Sequence, residues 1–172
     1  TKPQEIIDWL LTYKGEKFMG PDREGLLTTV SKAVAQDFEW SWLLVMAIER
    51  KSDWETDLWY HILAGWEQSS LSEEEWIRVL SYISQHTKLF EFAGSIADLL
   101  FKGVRAVHDG LPSTCLSLAE QVADQLWDVC ALVPPAEAVL QADDWLLRAI
   151  NHPGGKLTQF WLHALSKRRA EA

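Results

Sequence analysis

Little in this chain of 172 residues can cross-link it, anchor it in a bilayer or fasten it to a phosphate backbone. It has two cysteines, Cys115 and Cys130, and both fall on the apolar stripe of one expected helix. Their spacing of fifteen positions corresponds to ~22 Å along a straight helix, so they cannot bridge. They read as small buried hydrophobes in a reducing cytoplasm. The longest unbroken apolar run, Trp42 to Ile48, has seven residues, whereas a membrane-spanning helix needs ~20. The opening Thr1-Lys2-Pro3-Gln4-Glu5 has no basic region followed by an apolar stretch, so no signal peptide is visible and the cytoplasm is the expected location. Basic residues are also few. Sixteen Lys and Arg face twenty-five Asp and Glu, for a net charge of −9, which opposes a sequence-independent grip on nucleic acid. The one basic run, Lys167-Arg168-Arg169, sits where the helix dipole favours positive charge anyway.

Motifs of catalysis are missing as well. The chain has no Gly-x-Ser-x-Gly, no Cys-x-x-Cys and no Gly-x4-Gly-Lys-Ser/Thr loop. No segment alternates apolar and polar residues between hairpin turns, so strands are not expected.

The dominant signal is the 3.6-residue period. Ile6, Ile7, Leu10 and Leu11 start a short helix that Gly15 ends, and Gly20-Pro21-Asp22 opens a second with Leu26, Leu27, Val30, Ala33 and Val34 inside. A third helix runs from about Phe38 to Arg50, and Leu58, Trp59, Ile62, Leu63 and Trp66 define a fourth. Ser72 and Glu75 have capping-box spacing at the head of a fifth, which buries Trp76, Leu80 and Ile83. Phe92 to Gly103 gives a sixth. The seventh starts at Pro112-Ser113, carries Cys115, Leu116, Ala119, Val122, Ala123, Leu126, Trp127 and Cys130 on one stripe, and stops at Pro134-Pro135. Glu120, Gln121, Asp124, Gln125 and Asp128 occupy its polar face. Trp145 to Ile150 and Leu157 to Leu165 form the last two.

These patterns predict an all-α chain of eight or nine helices, forming one helical domain over residues 1–172. An irregular helical bundle and a HEAT-like α-solenoid both fit the helical hairpins, and no motif repeats at a fixed period to separate them.

Candidate sites are few. Asp57 and His61, at i and i+4, share a helix face in the manner of paired metal ligands, but nothing marks a third or fourth ligand and a surface ion pair accounts for the spacing better. Asp143-Asp144 resembles a carboxylate pair, but acidic residues are expected at the first turn of a helix. In Asn151-His152-Pro153-Gly154-Gly155-Lys156, Gly154 and Gly155 open a helix with Lys156 close by, which could cradle an anion on free N–H groups. A helix stop, a proline turn and a glycine restart give the same residues a purely structural role. His108-Asp109-Gly110 reads as a turn, and His86 and His163 stand alone.

The ten tryptophans are the one oddity of composition. Trp59, Trp66, Trp76, Trp127, Trp145 and Trp161 lie on the stripes of their own helices and read as core. Trp9, Trp40 and Trp54 are less tightly placed and are the interface candidates, since tryptophan is enriched at binding hot spots. On the third helix, Phe38, Trp42 and Val45 cluster on one side and Trp40, Leu43, Leu44 and Ala47 on the other. That helix is therefore expected at the centre, with Trp40 and Trp42 both largely buried; an exposed Trp40 would mark a docking surface.

The segment from Ala142 to Ser166, ADDWLLRAINHPGGKLTQFWLHALS, resembles a helical region found C-terminal to sirtuin-like NAD-consuming domains in bacterial anti-phage defence proteins. The resemblance covers about 25 residues. It implies that the chain is a fragment of a longer protein and that NAD chemistry resides in another domain. This part would serve as sensor, scaffold or oligomerisation surface. No sirtuin catalytic motif occurs here to carry over. The expected function is thus a non-enzymatic interaction module without metal or cofactor. Its partner would be a protein, another domain of the same polypeptide or a second copy. The alternative is a small ligand-binding domain or enzyme with its site at residues 151–156.

Overall fold

Side-chain caps mark where α-helices begin at Asp22, Asp37 and Ser72. In the computed structural model, which describes residues 2–15, 22–52, 56–106, 108–131 and 151–171, all regular structure is helical. Eight α-helices occur among the described residues: α1 (Pro3–Thr12), α2 (Arg23–Gln36), α3 (Phe38–Lys51), α4 (Thr56–Gln68), α5 (Glu73–Gln85), α6 (Ala93–Arg105), α7 (Leu116–Ala131) and α8 (Pro153–Glu171). Two 3-10 turns, Thr87–Phe92 and Ser113–Cys115, lead into α6 and α7. Cys115 thus lies in the turn before α7, not on the helix itself. The helix expected over residues 145–150, the Asp143-Asp144 pair and Trp54 lie outside the described residues. No described helix is long and apolar enough to cross a membrane.

The chain forms two compact units, Thr1–Ser70 and Leu71–Ala172. In the first, α2 packs on α4 and α1 on α3. Asp22 and Asp37 cap α2 and α3 by accepting the backbone N–H of Gly25 (2.6 Å) and Trp40 (2.9 Å). Gly65 lets α2 and α4 approach closely: a Cβ there would stand 2.5 Å from Val34 Cγ1 and 2.8 Å from the Ser31 carbonyl oxygen. Leu27, Val34, Leu58, Trp59, Ile62 and Trp66 of these two helices are buried.

Three helix ends are tied together by Arg23. Its guanidinium donates to the carbonyls of Leu10 (2.8 Å) and Tyr13 (2.6 Å) at the end of α1 and forks onto the Asp57 carboxylate at the start of α4. Arginine alone has enough donors in one plane for this task.

The expected central position of the third helix is not observed. In α3 the residues Ser41, Leu44, Val45, Ala47 and Ile48 are buried, whereas Trp40 and Trp42 are each only half-buried and Leu43 is exposed. One broad face meets the core and the other stays open. Phe38 and Trp42 cover each other in part, their rings stacked at 6.0 Å. Ser41, a polar residue in this apolar helix, is fully buried. Its hydroxyl donates to the Phe38 carbonyl (2.7 Å) and accepts from Trp66 Nε1 (3.0 Å), so both groups satisfy their hydrogen-bonding need inside the core.

The second unit starts with the expected capping box, Ser72 and Glu75 each taking the other's backbone N–H. Helix α5 packs on α7, α6 on α8, and α7 on α8. Between α6 and α7 the chain folds back so tightly that a Cβ on Gly110 would come within 2.5 Å of the Gly103 carbonyl oxygen. Leu111 N–H bonds that same carbonyl (2.8 Å). From α8, Lys167 reaches the Leu111 carbonyl and Arg168 reaches Glu120 and Ser117. Two of the three residues of the basic run are thereby occupied within the unit.

Candidate functional site

The start of α8 was the strongest sequence candidate for a ligand, and the structure gives its groups intramolecular partners. Pro153 occupies the first position of the helix, where its missing N–H is not needed. His152 Nδ1 accepts the Gly154 N–H at 3.2 Å, and the Lys156 N–H returns to the His152 carbonyl at 3.1 Å. Lys156 Nζ lies 2.6 Å from the Asp98 carboxylate on α6. Gly155 is part of the same first turn. The lysine charge that would attract an anion is balanced by Asp98, and the Gly154 donor is bound to an imidazole. This arrangement docks α8 onto α6.

The other titratable candidates also resolve into structure. The main partner of Asp57 is the Arg23 guanidinium, whose hydrogen bonds hold its carboxyl below the usual value of 3.8 despite partial burial, with His61 adding a smaller electrostatic pull in the same direction. His61 Nε2 stands 3.9 Å from Glu24. No cluster of metal-ligating side chains exists among the described residues. Asp109 has a left-handed φ of 54° in its exposed turn. His86 Nδ1 meets the Tyr82 carbonyl at 2.8 Å with its ring stacked on the tyrosine, and His163 lies beside Phe101. Burial pushes both cysteine thiols up from their ordinary value, so neither is poised as a nucleophile at neutral pH.

What the units do present is apolar surface. In the first, Trp9 is 47% exposed on α1, leaning against Tyr13, and Leu43 is exposed on α3. Trp40, the second interface candidate, is half-buried; with Pro3 and Leu43 it lines an open groove that also carries Lys2, Glu5, Asp37 and Glu39.

The second unit exposes more large apolar side chains among the described residues, and the sequence does not single them out. Trp127, expected in the core, is 41% exposed and meets half-buried Trp161 edge-on at 5.5 Å. Trp127 follows Leu126 by 100° around α7, at the edge of the stripe, where its neighbours among the described residues come from α8. Leu162 and Leu165 lie further out on α8, 61% and 63% exposed. The signal was present in the sequence: α8 carries apolar residues on two faces, Leu157, Phe160 and Ala164 on one and Leu162 and Leu165 on the other. Only packing reveals which face is left open.

Comparison with known proteins found no matching family model, no matching curated protein and no matching solved structure.

Proposed function

We propose that this chain is a non-enzymatic helical interaction module, a scaffold or sensor that works by presenting apolar helix faces to other proteins. The observation that carries the reading is the row of Trp127, Trp161, Leu162 and Leu165 on neighbouring helices. Two leucines each more than half exposed on one helix face forgo about 1–2 kcal/mol of burial free energy apiece unless something covers them. Contiguous exposed apolar residues mark interaction sites more often than chance scatter does. The ligand-site alternative at residues 151–156 draws no comparable support, since Lys156 and Gly154 already have partners.

The resemblance over Ala142 to Ser166 extends this proposal to a setting: a module beside an NAD-consuming domain in a bacterial anti-phage protein, acting in the cytoplasm. Trp127 and most of the exposed α8 face flank or fall within that segment.

Site-specific photo-crosslinking tests the reading. A photoreactive residue replaces Trp9, Trp127 or Leu162 in cells that carry the protein, with exposed, polar Gln121 as the control. Discrete protein adducts at the apolar positions and none at Gln121 are expected. Adducts at no position, or equally at all four, would refute the proposal.

A further inference from the structure

Among the described residues helix α8 is covered on one side only, and the pattern on its open side is self-complementary. Taking Phe160 as the origin at 100° per residue, buried Leu157 and Ala164 lie within 60° of it. Thr158, Leu162, Leu165 and Arg169 lie between about 140° and 200° away, and all four are exposed. Trp161, at 100°, turns toward α7 and meets Trp127. The open side is thus a continuous ridge from Trp127 through Trp161 to Leu165 and Leu162.

Charge marks the two ends of this ridge. Arg168 bonds Glu120 and Ser117, whereas Trp161 and Gly154 lie beside Trp127, so α7 and α8 run antiparallel. Asp128, next to Trp127, is therefore at the end of the ridge where α8 begins, and Arg169 is at the end where α8 finishes. Both are exposed, and Asp124 adds a second exposed carboxylate on the same flank.

We propose that this face pairs with a second copy of the same chain, α8 lying antiparallel to α8 across a twofold axis. This rests on the interaction-module reading and names its partner. An axis midway between Leu162 and Leu165 sets each leucine opposite the other leucine of the second copy, as an isologous contact requires. The same axis carries Arg169 about 8 Å along the helix to the level of residue 158 of the second copy. That is the level at which Trp127, the neighbour of Asp128 in sequence, flanks α8. Each end then sets a guanidinium against a carboxylate, and the apolar ridge closes on itself in the centre. A partner of other composition would need its own matching pattern; a second copy supplies it by symmetry.

Sedimentation velocity of the 172-residue chain across a wide concentration range tests this, with each variant's thermal melt measured at high dilution. Reversible dimerisation is expected. Leu162→Asp should weaken it about thirtyfold or more, the scale of a central hot-spot side chain, and leave the dilute melt unchanged. Arg169→Glu or Asp128→Arg should each weaken it about tenfold, and the two together should restore it. A chain that stays monomeric overturns the proposal, as does a dimer indifferent to Leu162→Asp. A dilute melt lowered by Leu162→Asp far beyond the cost of aspartate's lower helix propensity also overturns it, by showing that this face is already covered within one chain. Failure of the double charge reversal to restore pairing overturns the antiparallel arrangement. If the chain is monomeric while Trp127 and Leu162 still cross-link to another protein, this inference fails and the interaction-module reading stands.

Discussion

Gly65→Ala sets two effects of known size against each other. In an exposed helix interior the change stabilises by about 1 kcal/mol, because alanine has less backbone entropy to lose. Here the new Cβ would stand 2.5 Å and 2.6 Å from Val34 Cγ1 and Cβ, and 2.8 Å from the Ser31 carbonyl oxygen. Ordinary carbon contacts are ~3.5–4.0 Å, so α2 and α4 must separate by roughly 1 Å along their contact. A gap of that size forfeits up to about half of each van der Waals contact it opens, and overpacking in a well-filled core costs about 1–3 kcal/mol or more. With a backbone atom among the clashes the upper part of that range applies, leaving a net loss of about 2 kcal/mol. Val34→Ala alone removes two buried methyl groups and costs about 2 kcal/mol. In the double variant the Cγ1 clash is gone but the Cβ and Ser31 clashes remain, so the losses are less than additive and rescue is incomplete. Gly65 lies in the first of the two compact units, so the assay should report on that unit. Incorporating 5-fluorotryptophan gives a 19F resonance for Trp66, adjacent to Gly65, to follow through a urea titration. A Gly65→Ala chain as stable as wild type, or about 1 kcal/mol more stable, would refute the close approach of α2 and α4.

Arg23→Lys keeps the charge but offers one nitrogen to Asp57, Leu10 and Tyr13, and should cost the first unit about 1–3 kcal/mol in the same titration. Because the Asp57 carboxyl is held below its ordinary value, the stability from this pair is fully present above that value. It is lost as pH falls through the folded-state pKa, and Asp57→Asn should flatten that acid limb in a pH series of melts. Ser72→Ala removes one half of the capping box and should destabilise the second unit by about 1 kcal/mol in thermal denaturation. The purified chain is expected neither to hydrolyse NAD, read by chromatography of the products, nor to shift duplex DNA in gels at physiological salt. Turnover abolished by a point mutation within the chain would overturn the non-enzymatic reading. Far-UV circular dichroism should be identical with and without a chelator, and a loss of helix on chelation would reveal a structural metal.

The sequence by itself determined the helices and much of their inner faces. Signals such as Ser72 with Glu75, Asp22 before α2 and the stripe from Leu116 to Cys130 are local, set by backbone groups and residues within four positions, so they are legible one segment at a time. Tertiary structure decided what each helix meets. Asp57 sits at ligand spacing from His61 yet belongs to Arg23, thirty-four positions away. Lys156 likewise belongs to Asp98, and buried Ser41 to Trp66. Helices α3 and α8 both carry apolar residues around most of their circumference, a pattern equally consistent with complete burial and with one face left open. Periodicity records which residues share a face but not how many neighbours a helix has. The number of neighbours leaves Trp40 half-covered, Trp127 at the edge of its stripe, and Leu162 and Leu165 facing outward.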